Sequence, residues 1–362
     1  MNKFPRRICE ILFGTASLLL LSASTFAQSE APATEANRIS ESVRSQSYPE
    51  ILYGHTIVPD WDRGYMIHHE IERYNRPDQA MVVMYDAAGK RLREGRIWPR
   101  GAGSVSIRRA AATRDGAILA AGGAIMQDGS ISGYIAKTDL GGDTIQSVAT
   151  GAFKPEQICE ASDGTVWSLG KAGSADGSPV PDTEVVRQYS FEKGLVHSFL
   201  PEITVQAIMN SDRPWFTPFE SFLRCGNGRI SVYLSFTDEY AEISTSSFEL
   251  KRWQLDETVV QHGKASGLAI TEDGRVYASF SAHGMSGPSG LTGLYQVKAE
   301  SGSPVARLIS VVGTISYFKN GEPRLPGAFL HLWGADSNQL VVGRVDQRDA
   351  SWVNVSPTSN LP

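Results

Sequence analysis

The sequence contains no apolar run long enough to cross a membrane, either within its first 27 residues or after them. Its one apolar stretch, residues 11–21, is shorter than the ~20 residues that span a bilayer. Arg6 and Arg7 precede this stretch, and the small residues of Thr25-Phe26-Ala27 follow it, as in secretory signals. We therefore predict a signal peptide at residues 1–27 and an exported protein, periplasmic or extracellular, with no membrane span after signal removal.

Basic residues are not in excess, because 34 Lys and Arg stand against 39 Asp and Glu, a formal net charge of −5. This balance excludes the large positive surface on which nucleic acids and anionic lipids bind, so we expect no nucleic-acid partner. Residues 28–50 are rich in Ala, Ser, Glu and Thr and poor in larger apolar residues. We predict a flexible leader at 28–50 and a single domain over 51–362.

Cysteine is also scarce, since only Cys159 and Cys225 remain once Cys9 leaves with the signal. In an oxidising compartment the pair could form a disulfide, and the alternative is two buried thiols that pack as small apolar residues. Both cysteines precede a tight turn, but at different offsets from it, which staggers them along their strands. The sequence leaves both alternatives open.

Motifs that carry chemistry are missing as well. The seven histidines are scattered and show no metal-ligand spacing, so no metal site is predicted and the cofactors stay unknown. The Gly-rich segment 281–290 lacks the last Gly of a nucleophile elbow and the Lys-Ser or Lys-Thr of a phosphate loop. The catalytic residues, if the chain is an enzyme, stay unknown.

What the sequence does contain is a repeat. Each copy is an apolar strand, a tight turn of Asp-Gly or Asn-Gly type and a second strand, which is typical of a β-hairpin. The clear copies lie at residues 110–119, 158–167, 223–230 and 268–277, and looser copies at 60–67 and 332–342. A second turn follows each first turn, so the repeating unit is four antiparallel strands, and about six units fit the chain.

Four-stranded sheets repeated around an axis are the blades of a propeller. In this pattern residues 51–356 resemble the superfamily of six-bladed β-propellers that includes NHL-repeat and gluconolactonase-like proteins. The resemblance implies an all-β fold, a β-propeller of six four-stranded blades, and it is confined to the repeat. A β-sandwich, a tandem of small all-β domains and a seven-bladed propeller are the alternatives.

Closure of the ring involves both ends of the chain. The last unit has only three candidate strands, so its fourth comes from elsewhere. Residues 51–58 are the only strand-like segment before the first full unit, although that unit needs an inner strand from the same residues. We expect this segment to take part in closure.

The connections indicate which face binds a ligand. In a four-stranded blade the first and third turns share one face, and the second loop and the link to the next blade share the other. All long connections fall on the second face, where mixed aromatic and charged residues suit recognition. The candidate ligand-binding residues are Asp212, Arg213, Trp215, Phe216, His283, Tyr317 and Arg324.

Two functions follow from these observations. The first is an exported propeller that binds a protein, a glycan or another envelope ligand. The alternative, implied by the gluconolactonase-like resemblance, is a hydrolase or lyase with carboxylates or a divalent ion at the channel mouth. Fold alone does not choose between them.

Overall fold

A computed structural model describes residues 44–47, 57–70, 73–173, 184–200, 221–235, 237–255, 264–281, 293–312, 318–319, 322–323, 331–345 and 349–357. Within these ranges every regular element is a β-strand and there is no helix. The prediction of an all-β chain is confirmed. The same ranges contain no helix with the length and hydropathy of a membrane span.

The strands are numbered in chain order. The first ten are β1 Arg44–Ser47, β2 Ile57–Asp62, β3 Tyr65–Glu70, β4 Arg73–Tyr74, β5 Met81–Tyr85, β6 Arg91–Arg96, β7 Ala102–Ala112, β8 Ile118–Met126, β9 Ile131–Thr138 and β10 Thr144–Gly151. The next eight are β11 Phe153–Glu160, β12 Val166–Ala172, β13 Val186–Ser190, β14 Gly194–Phe199, β15 Phe222–Gly226, β16 Arg229–Leu234, β17 Glu239–Ser244 and β18 Leu250–Leu255. The last nine are β19 Lys264–Ile270, β20 Val276–Ser281, β21 Gly293–Lys298, β22 Val305–Val312, β23 Phe318–Lys319, β24 Glu322–Pro323, β25 His331–Asp336, β26 Gln339–Val345 and β27 Asp349–Val355.

The described strands form six antiparallel four-stranded sheets, which we call blades 1 to 6. From the inside outwards they are β2-β3-β5-β6, β7-β8-β9-β10, β11-β12-β13-β14, β15-β16-β17-β18, β19-β20-β21-β22 and β25-β26-β27-β1. The short strand β4 pairs with β7, and β18 pairs with β22 in parallel over two residues. Each innermost strand contacts that of the next blade, and β25 of blade 6 contacts β2 of blade 1. This ring of sheets is a β-propeller.

Closure differs from the prediction. The outermost strand of blade 6 is β1, whose residues 44–47 pair with 349–352 of β27, and not the segment 51–58. Blade 1 obtains its own inner strand from β2, so the two blades do not compete for one segment. β1 falls within residues 28–50, the segment predicted to be a leader, and that domain division stays a prediction. Arg-Ser-Gln-Ser has no apolar alternation, and an outermost strand needs only main-chain pairing, so no strand is predicted here from the residue pattern.

The core is divided among the seams between blades. Because strand side chains alternate, each blade presents apolar residues to both of its neighbours. In blade 6, for example, Leu332 packs against blade 5 while Trp333 packs against blade 1. Each seam in the described part of the chain has its own cluster of buried apolar residues.

Close backbone approach at the ring explains two glycines. A Cβ on Gly334 would overlap the carbonyl oxygen of Trp61 in the adjacent inner strand. A Cβ on Gly267 would likewise overlap the carbonyl oxygen of Leu332. Both positions need glycine because the inner strands of blades 5, 6 and 1 pack backbone against backbone.

The two faces of the propeller differ in their connections. On one face the first turns are residues 63–64, 113–117, 161–165, 227–228, 271–275 and 337–338. The longest connection between strands of one blade on this side is residues 299–304. The opposite side carries the connections 173–185, 200–221, 282–292 and 313–330, in agreement with the predicted asymmetry. We call the two sides the short-turn face and the long-connection face.

Candidate functional site

The channel is closed by an ion cluster near the short-turn face. Asp60 of β2 is buried and accepts hydrogen bonds from two arginines on other innermost strands. Arg109 Nη2 lies 2.8 Å from Asp60 Oδ1, and Arg109 Nε lies 2.5 Å from Oδ2. Arg224 of blade 4 reaches the same Oδ1 at 3.2 Å and the Trp333 carbonyl oxygen at 3.1 Å. These side chains, which we call the channel plug, join blades 1, 2, 4 and 6 across the axis.

Burial dominates the electrostatics of the plug. It raises the pKa of the Asp60 carboxyl above its ordinary value, and the attraction of Arg109 and Arg224 opposes that shift. Burial also lowers the pKa of Arg109 to about 10, against the attraction of Asp60. Two guanidiniums already occupy the Asp60 carboxylate, and their positive charge opposes the approach of a metal cation.

The plug therefore does not fit the divalent ion that a gluconolactonase-like site would hold. Among the described residues, no group of three or more His, Cys, Asp or Glu is arranged to bind a metal ion. The prediction that the chain has no metal site stays a prediction, because the residues that the structure leaves undescribed include His283.

A second contact across the channel lies at the short-turn face. Arg63, in the first turn of blade 1, donates from Nη2 to the Glu160 carbonyl oxygen of blade 3 at 2.6 Å. The Glu160 carboxylate accepts the Arg114 amide N–H at 2.6 Å, and Lys137 Nζ lies 3.9 Å away. Arg63 has φ of 53°, a left-handed conformation that is uncommon for residues other than Gly, Asn and Asp. The turn thus carries an unfavoured residue whose side chain bridges the mouth.

The two cysteines lie beside both cross-channel contacts. The structure joins Cys159 of β11 to Cys225 of β15 in a disulfide, with Cα atoms 5.6 Å apart. Cys159 directly precedes Glu160, and Cys225 directly follows Arg224. The bond therefore links the innermost strands of blades 3 and 4 at the point where they hold Arg63 and Asp60. Oxidation of the pair remains a prediction, which counting the free thiols of the purified chain tests.

Two connected cavities occupy the mouth on the short-turn face. The larger, the acidic lobe, has about 570 Å³, and its charged lining consists of Asp62, Glu272 and Asp336 with Arg63 and Arg224. The smaller, the basic lobe, has about 160 Å³. It is lined by Arg63, Arg114 and Arg229, with Glu160. Arg63, Cys225, Gly226 and Asn227 line both lobes.

A further titratable group, Glu156, lies on β11, the innermost strand that also carries Cys159 and Glu160. Glu156 is the extra residue of a β-bulge in β11, between Pro155 and Gln157, and bulges often re-aim a side chain. Lys171 Nζ lies 3.5 Å from its Oε1. Burial raises the pKa of Glu156 to about 7, although Lys171 and Arg108 oppose the shift. A carboxyl with such a pKa can exchange a proton at neutral pH.

The seven candidate ligand-binding residues lie outside the described residues. Asp212, Arg213, Trp215 and Phe216 fall in 201–220, His283 in 282–292, Tyr317 in 313–317 and Arg324 in 324–330. They stay predictions for the long-connection face.

Sequence reasoning missed the residues of the mouth, because it treated the first turns as scaffold. A signal was nevertheless present. Charged residues such as Arg63, Glu160 and Glu272 stand at or next to the turns, and equivalent turns of a propeller meet at one rim of the channel.

Comparison with known proteins identifies the fold and no family. Neither a protein-family model nor a curated protein matches the sequence. A candidate exported protein from Bacteroides fragilis is similar in structure, with a TM-score of 0.54 at 10% identity over 90% of this chain and 97% of that one. A candidate gluconolactonase is similar at a TM-score of 0.47 and 14% identity, over 88% and 95% of the two chains. The β-propeller domain of Cps50 (Swd1) from Myceliophteria thermophila gives 0.43 at 11% identity, over 86% and 99%. At these identities the likeness concerns the fold alone.

Proposed function

We propose that this chain is an exported β-propeller that binds a protein, a glycan or another envelope component through its long-connection face. The observation that carries the proposal is the asymmetry of the two faces. The four longest connections, 173–185, 200–221, 282–292 and 313–330, join strand ends on one side of the ring, while the first turns of the other side are short, and this difference supports the proposal. Loops that vary on a repeating scaffold are where binding residues concentrate.

The composition of these connections supports recognition. Asp212, Arg213, Trp215 and Phe216 share the connection between blades 3 and 4, and Tyr317 and Arg324 share the one between blades 5 and 6. Aromatic residues and arginine carry much of the binding energy in interfaces. His283 adds a third segment from within blade 5.

The channel supports binding over catalysis. The carboxylate of the plug, Asp60, is already held by Arg109 and Arg224. Glu160 is held by the Arg114 N–H and approached by Lys137. Such paired carboxylates are poor metal ligands or nucleophiles.

The test compares variants on the two faces. Binding of the purified chain to isolated peptidoglycan and to an array of envelope glycans is measured by retention and by fluorescence. We expect Trp215→Ala to weaken retention by about tenfold or more, as loss of a central aromatic does. Lys90→Gln, an exposed residue in a short turn of the short-turn face, is the control and should bind as the parent does. Equal loss of retention in both variants, or no retention of the parent chain, would contradict the proposal. Export is tested by N-terminal sequencing, which should begin at Gln28.

The alternative, a hydrolase or lyase, has one observation in its favour. Glu156 has a pKa of about 7 and lies on an innermost strand, so it is suited to act as a general acid or base. Under this alternative, turnover of lactone or ester probes should be abolished in Glu156→Gln. If Glu156→Gln leaves turnover unchanged, Glu156 is not the catalytic group, and the enzyme alternative loses the observation that favours it.

A further inference from the structure

The mouth on the short-turn face has two lobes that differ in charge: three carboxyl groups and two guanidiniums line the larger, and three guanidiniums and one carboxylate line the smaller. The acidic lobe presents Asp62, Glu272 and Asp336, and neither Glu272 nor Asp336 forms an ion pair with any described residue. Asp62 accepts the Ala112 N–H at 3.1 Å, and Arg63 Nε approaches it only to 4.0 Å. The Glu272 and Asp336 carboxylates, and not that of Asp62, whose pKa burial raises, are therefore open to a ligand that donates hydrogen bonds.

The basic lobe is built from three guanidiniums that backbone carbonyls hold in place. Arg63 donates to the Glu160 carbonyl oxygen, Arg114 to that of Ser162 and Arg229 to that of Gly274. A guanidinium has five N–H donors, and these bonds use few of them. Arg229 Nη1 also pairs with Glu242 at 2.9 Å, while its buried Nε has no acceptor among the described residues. The lobe therefore retains donors that match an anion such as a carboxylate.

Arg63 separates the lobes and belongs to both. Its Nε faces Asp62 on one side, and its Nη2 is anchored to blade 3 on the other. Because Arg63 lines both cavities, a ligand can reach the two charges without crossing the plug. The larger cavity also lies within the range of volumes typical of small-molecule sites.

We propose that this mouth is a second binding site, distinct from the long-connection face, and that it takes a small zwitterionic ligand such as a free amino acid or a short peptide. The ammonium group binds in the acidic lobe near Asp336 and Glu272. The carboxylate binds in the basic lobe near Arg114 and Arg63. Neither charge alone is complementary to the whole mouth.

The experiment uses one dipeptide in three forms. Isothermal titration calorimetry measures binding of alanyl-alanine, its N-acetyl form and its C-terminal amide to the purified chain. We expect the free dipeptide to bind about tenfold or more tightly than either blocked form, since each loses a charge-assisted contact. Equal affinities for the three forms, or no binding of any of them at millimolar concentration by a folded chain, would overturn the proposal.

Crossed variants assign the two lobes. Arg114→Gln should weaken the free and N-acetylated dipeptides about tenfold and leave the amide unchanged. Asp336→Asn should weaken the free dipeptide and the amide and leave the N-acetylated form unchanged. Variants that change all three forms equally would show that the lobes do not read separate charges.

Arg63→Asn supplies the control for folding. Asparagine tolerates the left-handed turn better than arginine, so the melting temperature should not fall because of the turn. Affinity for the free dipeptide should nevertheless fall about tenfold, because the guanidinium is lost. Trp215→Ala, in the connection between blades 3 and 4, should leave dipeptide binding unchanged, which separates this site from the proposed envelope-binding function. Unchanged binding by Arg63→Asn would contradict the role of the shared guanidinium.

Discussion

Two seams of the ring are held by different physical means. The seam between blades 3 and 4 contains the disulfide between Cys159 and Cys225, and we call it the disulfide seam. The seam between blades 6 and 1, the closing seam, joins the two ends of the propeller. It contains Trp61, Trp333 and Trp352, three of the seven tryptophans of the chain, with Trp352 at a ring-centroid distance of 6.2 Å from each of the others.

The difference follows from chain connectivity. Blades 3 and 4 are consecutive, and the covalent bond adds a second link across a separation of 66 residues. Blades 6 and 1 are joined by the N-terminal strand β1, which pairs with β27. The closing seam concentrates large buried side chains where the ordering entropy of the whole ring must be offset.

The largest effect should come from the closing seam. Trp61 is buried, and Trp61→Ala should lower the free energy of unfolding by about 3–5 kcal/mol, through lost burial and the cavity left behind. Urea denaturation measures the loss. Trp167→Ala is the matched control, because Trp167 is equally buried in the disulfide seam.

Hydrogen exchange then distinguishes the two tryptophan variants. Trp61→Ala should expose the amides of β27 to exchange, since blade 6 can separate from blade 1. Trp167→Ala should leave the amides of β15 protected, because the disulfide keeps blades 3 and 4 together. Identical exchange patterns would mean that the seams are not distinct.

The next largest effect should come from the disulfide seam. The double variant Cys159→Ala/Cys225→Ala should have a free energy of unfolding about 2–4 kcal/mol lower than that of the parent, because its unfolded chain regains the conformational freedom that the bond removes. Reduction of the parent chain should reproduce the loss, and reductant should not affect the double variant. Mass spectrometry of the unreduced, alkylated chain provides the direct check, and two alkylated thiols would show that no bond forms.

The sequence predicted the seams unequally. The hairpin repeat identified the propeller because Asp-Gly and Asn-Gly turns, such as those at Gly116 and Gly228, have the positive φ that these turns require. It reached the cysteine pair as one of two alternatives, since strand stagger depends on bulges such as that at Glu156. The mouth depends on contacts between distant blades, such as Arg63 with Glu160, which no local pattern encodes.

Acid should weaken blade 1, which forms one side of the closing seam. His69 of β3 is buried, and burial lowers its pKa to about 3, with a further contribution from Arg109. The folded chain therefore keeps His69 neutral while the unfolded chain protonates it near pH 6.5. The contribution of neutral His69 to the free energy of unfolding is fully present above pH 6.5. It falls by about 1.4 kcal/mol per pH unit as the pH drops from 6.5 toward 3.

The pH dependence is measured as the slope of the unfolding free energy between pH 7 and 5. His69→Gln should reduce that slope, although the neighbouring His68, whose pKa burial lowers to about 4, keeps part of it. His197→Gln, which removes an exposed imidazole, is the control. A slope that His69→Gln leaves intact would show that His69 is protonated in the folded chain.

The smallest effect should come from β1, and it tests the closing seam most directly. The strand contributes main-chain pairing of residues 44–47 to β27, and its polar sequence suggests little apolar burial. A few main-chain hydrogen bonds stabilise by about 1–2 kcal/mol in total. The free energy of unfolding of a chain beginning at residue 48, measured by urea denaturation, should therefore be lower by that amount. A chain beginning at residue 44 is the control and should match the mature protein. If both truncated chains unfold together with the parent, β1 does not contribute to closure and the tryptophans alone join blade 6 to blade 1. If removal of β1 lowers the free energy of unfolding as much as Trp61→Ala does, β1 and the tryptophans act as a single cooperative unit in closure.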